Sequence, residues 1–391
     1  MDLADGAVQA ALTRRWGELY AGRRVLLPPA PLSAATGTVR WLRGLGCEVL
    51  VLATSRGAGA PPADGECVVV DVEPGTFGSA TEEFRALDHL TRHLPPDVAA
   101  AVDAFDPEHR GVWRGSPFLT SDEPVDGRVV LAGRPAAFVA LEDKLLAEDV
   151  WAACGVPTAP HRVTPVERAA LLEATDAVAG PLGAVWAGDT RDGFNGCGDL
   201  VRWVVDEADA EAAREFFASR CDRVRVQPFL DGVPCSIHGM VLPDGTAAFR
   251  PVEIAMLRDR AARSFVYGGL SSFWDPPAAD RAEMRSVAQR VGGHLAAAHG
   301  YRGAFGIDGV LTAEGFRPTE LNPRFSMGLT ALAAVAPVLL QLLQDNLLAG
   351  RSTGVTVHDV ETLVPLMDAQ RTGRPHVLVP GRAPSRPSRS R

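Results

Sequence analysis

Residues 303–324, GAFGIDGVLTAEGFRPTELNPR, constrain this chain more than any other stretch. Apolar and polar residues alternate over Gly303–Leu311 and again over Phe316–Asn322. The intervening Glu314-Gly315 supplies the turn, so the spacing predicts an antiparallel hairpin. Asp308 sits in its first strand. Glu320 and Asn322 sit two apart in the second and share a face, because strand side chains alternate sides. A tight turn brings Asp308 level with them. Two carboxylates and an amide oxygen make an all-oxygen set that suits a hard divalent cation, above all when substrate phosphates complete the shell. Arg324 is two residues further on and projects to the same side, where it could neutralise a transferring phosphoryl group. Pro318 and Pro323 restrict the backbone around these residues.

The remainder of the chain divides around that hairpin. Arg24–Pro28 reads as a buried strand, Ser33–Leu45 as a helix and Glu48–Ala53 as a second strand, which is a βαβ unit. Cys67–Val72 and Val129–Ala132 read as further strands. Gly57–Gly65 and Asp106–Gly127 are rich in Gly, Pro and Asp and read as loops. A helix is expected over Ala136–Cys154, stopped by Gly155 and Pro157. Helix Pro165–Val178, strand Gly183–Ala187, loop Gly188–Gly198, strand Leu200–Val205, helix Glu207–Ser219 and strand Val224–Phe229 make a small α+β unit. Strands Cys235–Leu242 and Thr246–Ile254 flank the turn Pro243-Asp244-Gly245. Helix Ala279–His299 precedes the 303–324 hairpin, and an apolar helix over Thr330–Leu348 follows it. The Pro/Ser/Arg-rich residues 380–391 are expected to be disordered. The implied domains are 1–138, 139–230, 231–350, an extension 351–379 and the tail 380–391.

Three other segments carry chemistry. The loop GDTRDGFNGCG has glycines at 188, 193, 196 and 198, which let backbone N–H groups approach an anion. It ends without GK[ST] and joins two strands, so neither the P-loop nor the dinucleotide fingerprint applies. Lys144, in LEDKLLAEDVWAACGVP, is the sole lysine among 39 basic residues. Lysine is a point charge where arginine is a planar fork, so a lone ammonium raises the question of its task, while a coding preference for arginine accounts for the bias equally well. Residues 224–237 read as a strand running into a Pro- and Gly-containing linker whose exposed backbone could pair with a purine.

The net charge of −9 argues against a general nucleic-acid or anionic-membrane binder. Hydrophobic residues at 46% and charged residues at 22% fit a globular chain. The six cysteines show no CxxC pair, which fits a reducing cytoplasm and argues against zinc or a disulfide framework. The N-terminus does not read as a signal peptide, and no uncharged apolar run reaches membrane-spanning length. His161, His238, His294 and His299 lack metal-ligand spacing; His238 alternates into the hairpin and could face the substrate, against the reading of a satisfied core or surface histidine. Cys235, Ser236 and His238 form no nucleophile–base–acid order. Trp151 and Trp186 read as core.

Taken in order, an α/β domain, an EDK helix ending in G-V-P, a glycine-rich hairpin, a hinge strand and a D…E-L-N-P-R core resemble the ATP-grasp superfamily of carboxylate–amine ligases over residues 20–350. FRPVEI (249–254) and YRGAFGID (301–308) resemble its central core strands. The resemblance implies an N-terminal open α/β domain, a small α+β lid (155–226) and a C-terminal α+β core, with ATP between lid and core. Asp308, Glu320 and Asn322 would hold two Mg²⁺, with Mn²⁺ a natural substitute. Lys144 and the glycine loop (Gly193, Gly196, Gly198) would meet the phosphates. Gln227, Phe229 and Leu230 would line the adenine pocket, and Glu320, Asn322 and Arg324 would serve catalysis. Three departures stand out. Val185-Trp186-Ala187-Gly188 lacks the family's lid lysine, for which Arg191 could substitute. Pro234 stands where a ribose-binding glutamate is usual, which leaves Asp231 or a neighbour. Arg258–Pro277, rich in arginine and aromatics, matches no general motif and reads either as an acceptor or carboxylate site beside the core or as a mobile surface loop.

The activity implied is activation of a carboxylate as an acyl phosphate and its capture by an amine, with release of ADP. The substrates would be small molecules, the location cytoplasmic and a homodimer compatible with the resemblance. The competing readings keep the fold but use bicarbonate or a hydroxyl as nucleophile, or retain nucleotide binding without turnover.

Overall fold

The computed structural model describes residues 1–189, 196 and 198–375. The apolar runs at the start of the chain form a parallel sheet. Strands β1 (Arg24–Pro31), β2 (Glu48–Ser55), β3 (Val68–Asp71), β4 (Val112–Arg114) and β5 (Val129–Leu131) lie in the order β3-β2-β1-β4-β5. Val25, Leu26 and Val49–Leu52 are buried on both faces, as continuous hydrophobic runs in parallel strands require. Helices α1 (Gly6–Gly17), α2 (Leu32–Gly44), α3 (Ala80–Arg92) and α4 (Pro96–Phe105) complete this layer. Strand β4 falls inside the stretch 106–127 expected to be loop. Three residues between Gly111 and Gly115 are too few to show alternation, yet Trp113 is fully buried there.

The helix expected over 136–154 is broken. It comprises α5 (Ala136–Val139), a 3₁₀ turn (Ala140–Glu142) and α6 (Leu146–Ala153). Asp143 adopts an extended backbone, and its side chain accepts from Leu145 N at 2.8 Å. Aspartate competes with the helix ladder in this way and restarts the next turn. Lys144 therefore sits in the break, not on a helix. Gly155, at φ 60°, ends α6 where the sequence placed the stop.

A four-stranded antiparallel sheet follows: β6 (Arg162–Pro165), β7 (Ala184–Gly188), β8 (Val201–Val204) and β9 (Arg223–Pro228), in the order β6-β9-β7-β8. Helices α7 (Arg168–Val178) and α8 (Glu207–Ala218) accompany it. Pro165, expected to open that helix, is the last residue of β6, and the helix begins at Arg168.

The C-terminal sheet runs β15-β14-β10-β12-β13-β16, with β11 paired to β10. Its strands are β10 (Val233–Leu242), β11 (Gly245–Ala248), β12 (Val252–Asp259), β13 (Ser264–Ser271), β14 (Gly303–Thr312), β15 (Gly315–Asn322) and β16 (Gly373–Pro375). Helix α9 (Ala278–His299) packs against β10 and β11, and α10 (Met327–Leu332), α11 (Pro337–Leu348), α12 (Val357–Glu361) and α13 (Val364–Ala369) follow. Three expectations are corrected. The strand expected over 246–254 is two strands, interrupted before Val252 where Pro251 has no N–H for a ladder. The 258–277 stretch is the end of β12 and all of β13; its arginines and glycines mask the period of two. The helix expected over 330–348 breaks at a 3₁₀ turn (Ala333–Val335), and Pro337 opens α11, where a missing N–H costs nothing. The tail 380–391 lies outside the described residues.

Candidate active site

The β14–β15 register sets Asp308 directly across from Glu320 and Gly306 across from Asn322, with a bulge between Asp308 and Gly309. Asn322 Nδ2 donates to Asp308 Oδ2 at 2.9 Å. On the other side of β14, the β10 register places Ser236 opposite Asp308 and His238 opposite Gly306. Ser236 adjoins the Asp308 carboxyl and favours its charged form. Burial raises the Asp308 pKa to about 6, and the charge of Glu320 adds to it; Ser236, Arg324 and Asn322 pull the other way without prevailing. Two carboxylates facing each other across a ladder repel unless cations sit beside them. Among the described residues no three His, Cys, Asp or Glu side chains cluster, so the donor set is two acids and one amide. That set fits Mg²⁺ with open positions for phosphate oxygens.

Lys144 reaches this hairpin from the break before α6. Its side chain is 4% exposed, and Nζ lies 3.1 Å from Glu320 Oε1. Arg324 pairs with Glu142. Glu142 also accepts from Arg134 Nη1 at 2.6 Å, and the same nitrogen donates to Pro323 O at 3.1 Å. Burial opposes the Arg324 charge, but Glu142, Glu320 and Asp308 hold its pKa above the ordinary value. Two guanidinium groups thus share one carboxylate.

These groups close one end of a cavity of 430 Å³ between the 162–228 unit and the C-terminal sheet. Lys144, Gly198, Gln227, Phe229, Leu230, Asp231, Asp308, Glu320, Asn322 and Arg324 all line it. Val185, Ala187 and Val201 on one side and Ile254, Met256 and Leu270 on the other supply its apolar lining, with Arg258 and Tyr267 beside them. Gly196 faces elsewhere: its N–H donates to Thr81 Oγ1 at 3.1 Å, and its carbonyl accepts from the same hydroxyl at 3.3 Å. Arg191 and Gly193 lie outside the described residues. Pro234 lines the cavity near Asp231.

Several cavity groups were not among the expected ones. Arg225 of β9 is paired opposite Ala187, and Gln227 opposite Val185, so both share the cavity face of the sheet. Arg225 donates to Glu148 Oε1 at 2.6 Å, Lys144 O at 3.1 Å and Thr319 O at 2.8 Å. The alternation in Arg223-Val224-Arg225-Val226-Gln227 was the available signal. His238, read either as facing the substrate or as a satisfied histidine, is 1% exposed and lines the cavity. Its Nε2 lies 3.2 Å from Ser236 Oγ, and its Nδ1 is buried without a partner. Burial pushes its pKa down to about 3, so the ring is neutral. Trp151 and Trp186 are core, as expected.

No protein-family model matches the chain, and no curated protein matches it by sequence. Solved structures do match in shape. Phosphoribosylamine–glycine ligase from Thermotoga maritima superposes with a TM-score of 0.54 at 18% identity, covering 85% of this chain and 76% of that one. An L-amino acid ligase from Bacillus licheniformis gives 0.52 at 14% identity, over 84% and 74%. Carboxyaminoimidazole ribonucleotide synthase from Aspergillus clavatus, complexed with ATP, gives 0.51 at 14% identity, over 84% and 78%. The likeness spans most of each chain and is one of fold: the chain has the ATP-grasp fold of these enzymes.

Proposed function

We propose that this protein is an ADP-forming ligase that joins a small-molecule carboxylate to an amine. The observation that carries the reading is the closed end of the cavity, where Asp308 and Glu320 face each other across a hairpin with Lys144 on Glu320. The apolar end fits a purine held near Gln227, Phe229 and Leu230. Asp308, Glu320 and Asn322 would hold Mg²⁺, which supplies charge neutralisation at the outer phosphates. Lys144 and the Arg324–Glu142–Arg134 group add fixed positive charge where the substrate carboxylate attacks the γ-phosphoryl group. The bond from the γ-phosphorus to its bridging oxygen breaks and ADP leaves; the resulting acyl phosphate is attacked at its carbonyl carbon by the amine nitrogen. The C–O bond to phosphate breaks, phosphate leaves and the amine loses a proton. The cavity walls exclude water that would hydrolyse the acyl phosphate.

The free cysteines at 47, 67, 154, 221 and 235 suit a reducing compartment. No helix among the described residues is long and apolar enough to cross a membrane. The test is ADP release on a matrix of carboxylates and amines, beginning with the L-amino acids that the B. licheniformis neighbour's name suggests. ADP formation that needs both partners, product of amide mass, and loss of both in Glu320→Gln are expected. A wild-type enzyme that makes no ADP with any pair, or whose product gains phosphate or carboxyl mass, would defeat the reading.

A further inference from the structure

We infer that Glu142 and Arg134 are the positioning pair of Arg324: Glu142 parks the Arg324 guanidinium at the cavity wall, and Arg134 keeps Glu142 paired when Arg324 turns to the transferring phosphoryl group. The inference rests on the ligase reading and adds two residues that act on the chemistry through a third.

One carboxylate is unevenly shared. Glu142 Oε1 accepts from Arg134 Nη1 at 2.6 Å and also from Arg324 Nη1. Glu142 Oε2 is buried with no hydrogen-bond partner among the described residues, and so are Arg134 Nε and Nη2. A guanidinium facing a carboxylate commonly closes two parallel hydrogen bonds. Here the groups that would make the second bond lie buried and unused beside a first bond already formed. The fork between Arg134 and Glu142 is half made, and Arg324 sits on the oxygen that they already share.

The two cations differ in their freedom to leave. Arg134 is 3% exposed and does not line the cavity, and its Nη1 also donates to Pro323 O at 3.1 Å. Its backbone is held as well. Ser121 N donates to Arg134 O at 3.2 Å, and a Cβ on Gly133 would meet Leu119 O at 2.8 Å and Ser121 N at 3.0 Å. Arg324 is 18% exposed and lines the cavity together with Asp308 and Glu320. Arg324 is therefore the cation that an incoming anion can draw away. The Glu142 side chain is 2% exposed, so water cannot take over its charge. A buried carboxylate stripped of its cation is strongly destabilising. With Arg134 in place the carboxylate stays paired, and closing the second bond of the fork offsets the one that Arg324 gives up. Arg134 thus lowers the cost of moving Arg324, while Glu142 fixes where Arg324 waits.

Two measurements test this. The first is a crystal structure with Mg²⁺, ADP and aluminium fluoride, which stands in for the transferring phosphoryl group. Arg324 is expected off Glu142 and in hydrogen-bond contact with the fluoride, with Arg134 bound to both Glu142 oxygens. Arg324 still seated on Glu142 would overturn the inference. The second is turnover. In Arg134→Met the Glu142 charge stays paired by Arg324, which is then held back. That variant should lower kcat for ADP release by about 10- to 100-fold with KM for ATP within about twofold. Adding Glu142→Gln to Arg134→Met should raise kcat again by about 5-fold, because no carboxylate remains to hold Arg324. Arg134→Lys keeps the charge without the fork and should lie between wild type and Arg134→Met. Residues that only packed the fold would give a double variant slower than Arg134→Met and a lysine no better than methionine. Either result overturns the inference and leaves the ligase reading standing. A wild type that releases no ADP with any carboxylate and amine sinks the ligase reading, and the crystal structure then decides the placement of Arg324 by itself. It also carries the test where Arg134→Met folds poorly.

Discussion

At residue scale, Lys144 and Asp308 show how local chemistry assigns work. A buried ammonium 3.1 Å from Glu320 is costly unless negative charge faces it. Lys144→Met should cut ADP formation by about 10²–10³-fold with an unchanged circular dichroism spectrum. Lys144→Arg should not restore it, because a planar fork does not occupy the volume of a point charge. Asp308 gives a pH signature. Its pKa is about 6 in the fold, against about 3.9 in an unfolded chain. Between those values the folded protein holds a proton that the unfolded chain has released. The stability due to that proton is complete below the unfolded value and is lost as pH rises through about 6. Without divalent cation, Asp308→Asn should therefore be more stable than wild type at pH 8, on the order of 3 kcal/mol, and nearly equal to it at about pH 3, below the unfolded value. Thermal melts at both pH values check this. Adding Mg²⁺ at pH 8 should stabilise the wild type and leave Asp308→Asn unmoved.

At element scale, the β14–β15 hairpin was legible because strand alternation and a Glu-Gly turn are local signals. The pairing of Asp308 with Glu320 follows from them once a bulge is allowed. The bulge itself was not legible. It sets Gly309 opposite Pro318 while Asp308 stays opposite Glu320, so Thr319 is the extra residue. A Cβ on Gly309 would meet Arg317 O at 2.4 Å and Phe316 Cε2 at 2.7 Å. Gly309→Ala should cost about 1–3 kcal/mol by chemical denaturation. It should also weaken Mn²⁺ binding, read by electron paramagnetic resonance, because the strand must shift beneath Asp308. Elsewhere local signals misled. Residues 136–154 carry helical periodicity throughout, yet Asp143 breaks the helix by capping its own backbone. Residues 258–271 form a strand pair whose sequence lacks alternation because arginines occupy the lid-facing positions. Arg258 lies 5.5 Å from the Phe229 ring centroid and Arg263 lies 4.9 Å from that of Trp203. Such contacts depend on a partner sheet that no window of sequence contains.

At the scale of the whole molecule, the cavity exists because separate units are tied across it. The 162–228 unit meets the β12–β13 hairpin through Trp203 N to Arg263 O at 2.8 Å and Arg263 Nε to Asp209 Oδ1 at 2.8 Å. It meets the N-terminal domain through Thr81 N to Asp199 Oδ2 at 3.0 Å. The tie nearest the chemistry is Arg225. It is 2% exposed and joins Glu148 of α6, the Lys144 carbonyl and the Thr319 carbonyl beside the bulge. One guanidinium thus fixes the lid sheet, the segment that carries Lys144 and the strand that carries Glu320. Arginine suits that task because its planar fork spans several acceptors at once. Sequence reading looked for a lid cation just before or within the glycine loop, whereas β9 places Arg225 on the cavity face opposite Ala187. Arg225→Met should cost about 3–5 kcal/mol, since it leaves Glu148 buried without its partner. Glu148→Gln in the same chain should recover most of that stability, because the stranded charge is gone. It should not recover ADP formation, because Lys144 and Glu320 would still have lost their common anchor. Denaturant midpoints and turnover for the two single variants and the double variant separate these outcomes. If the double variant regained activity along with stability, Arg225 would be a packing residue with no part in holding the cleft.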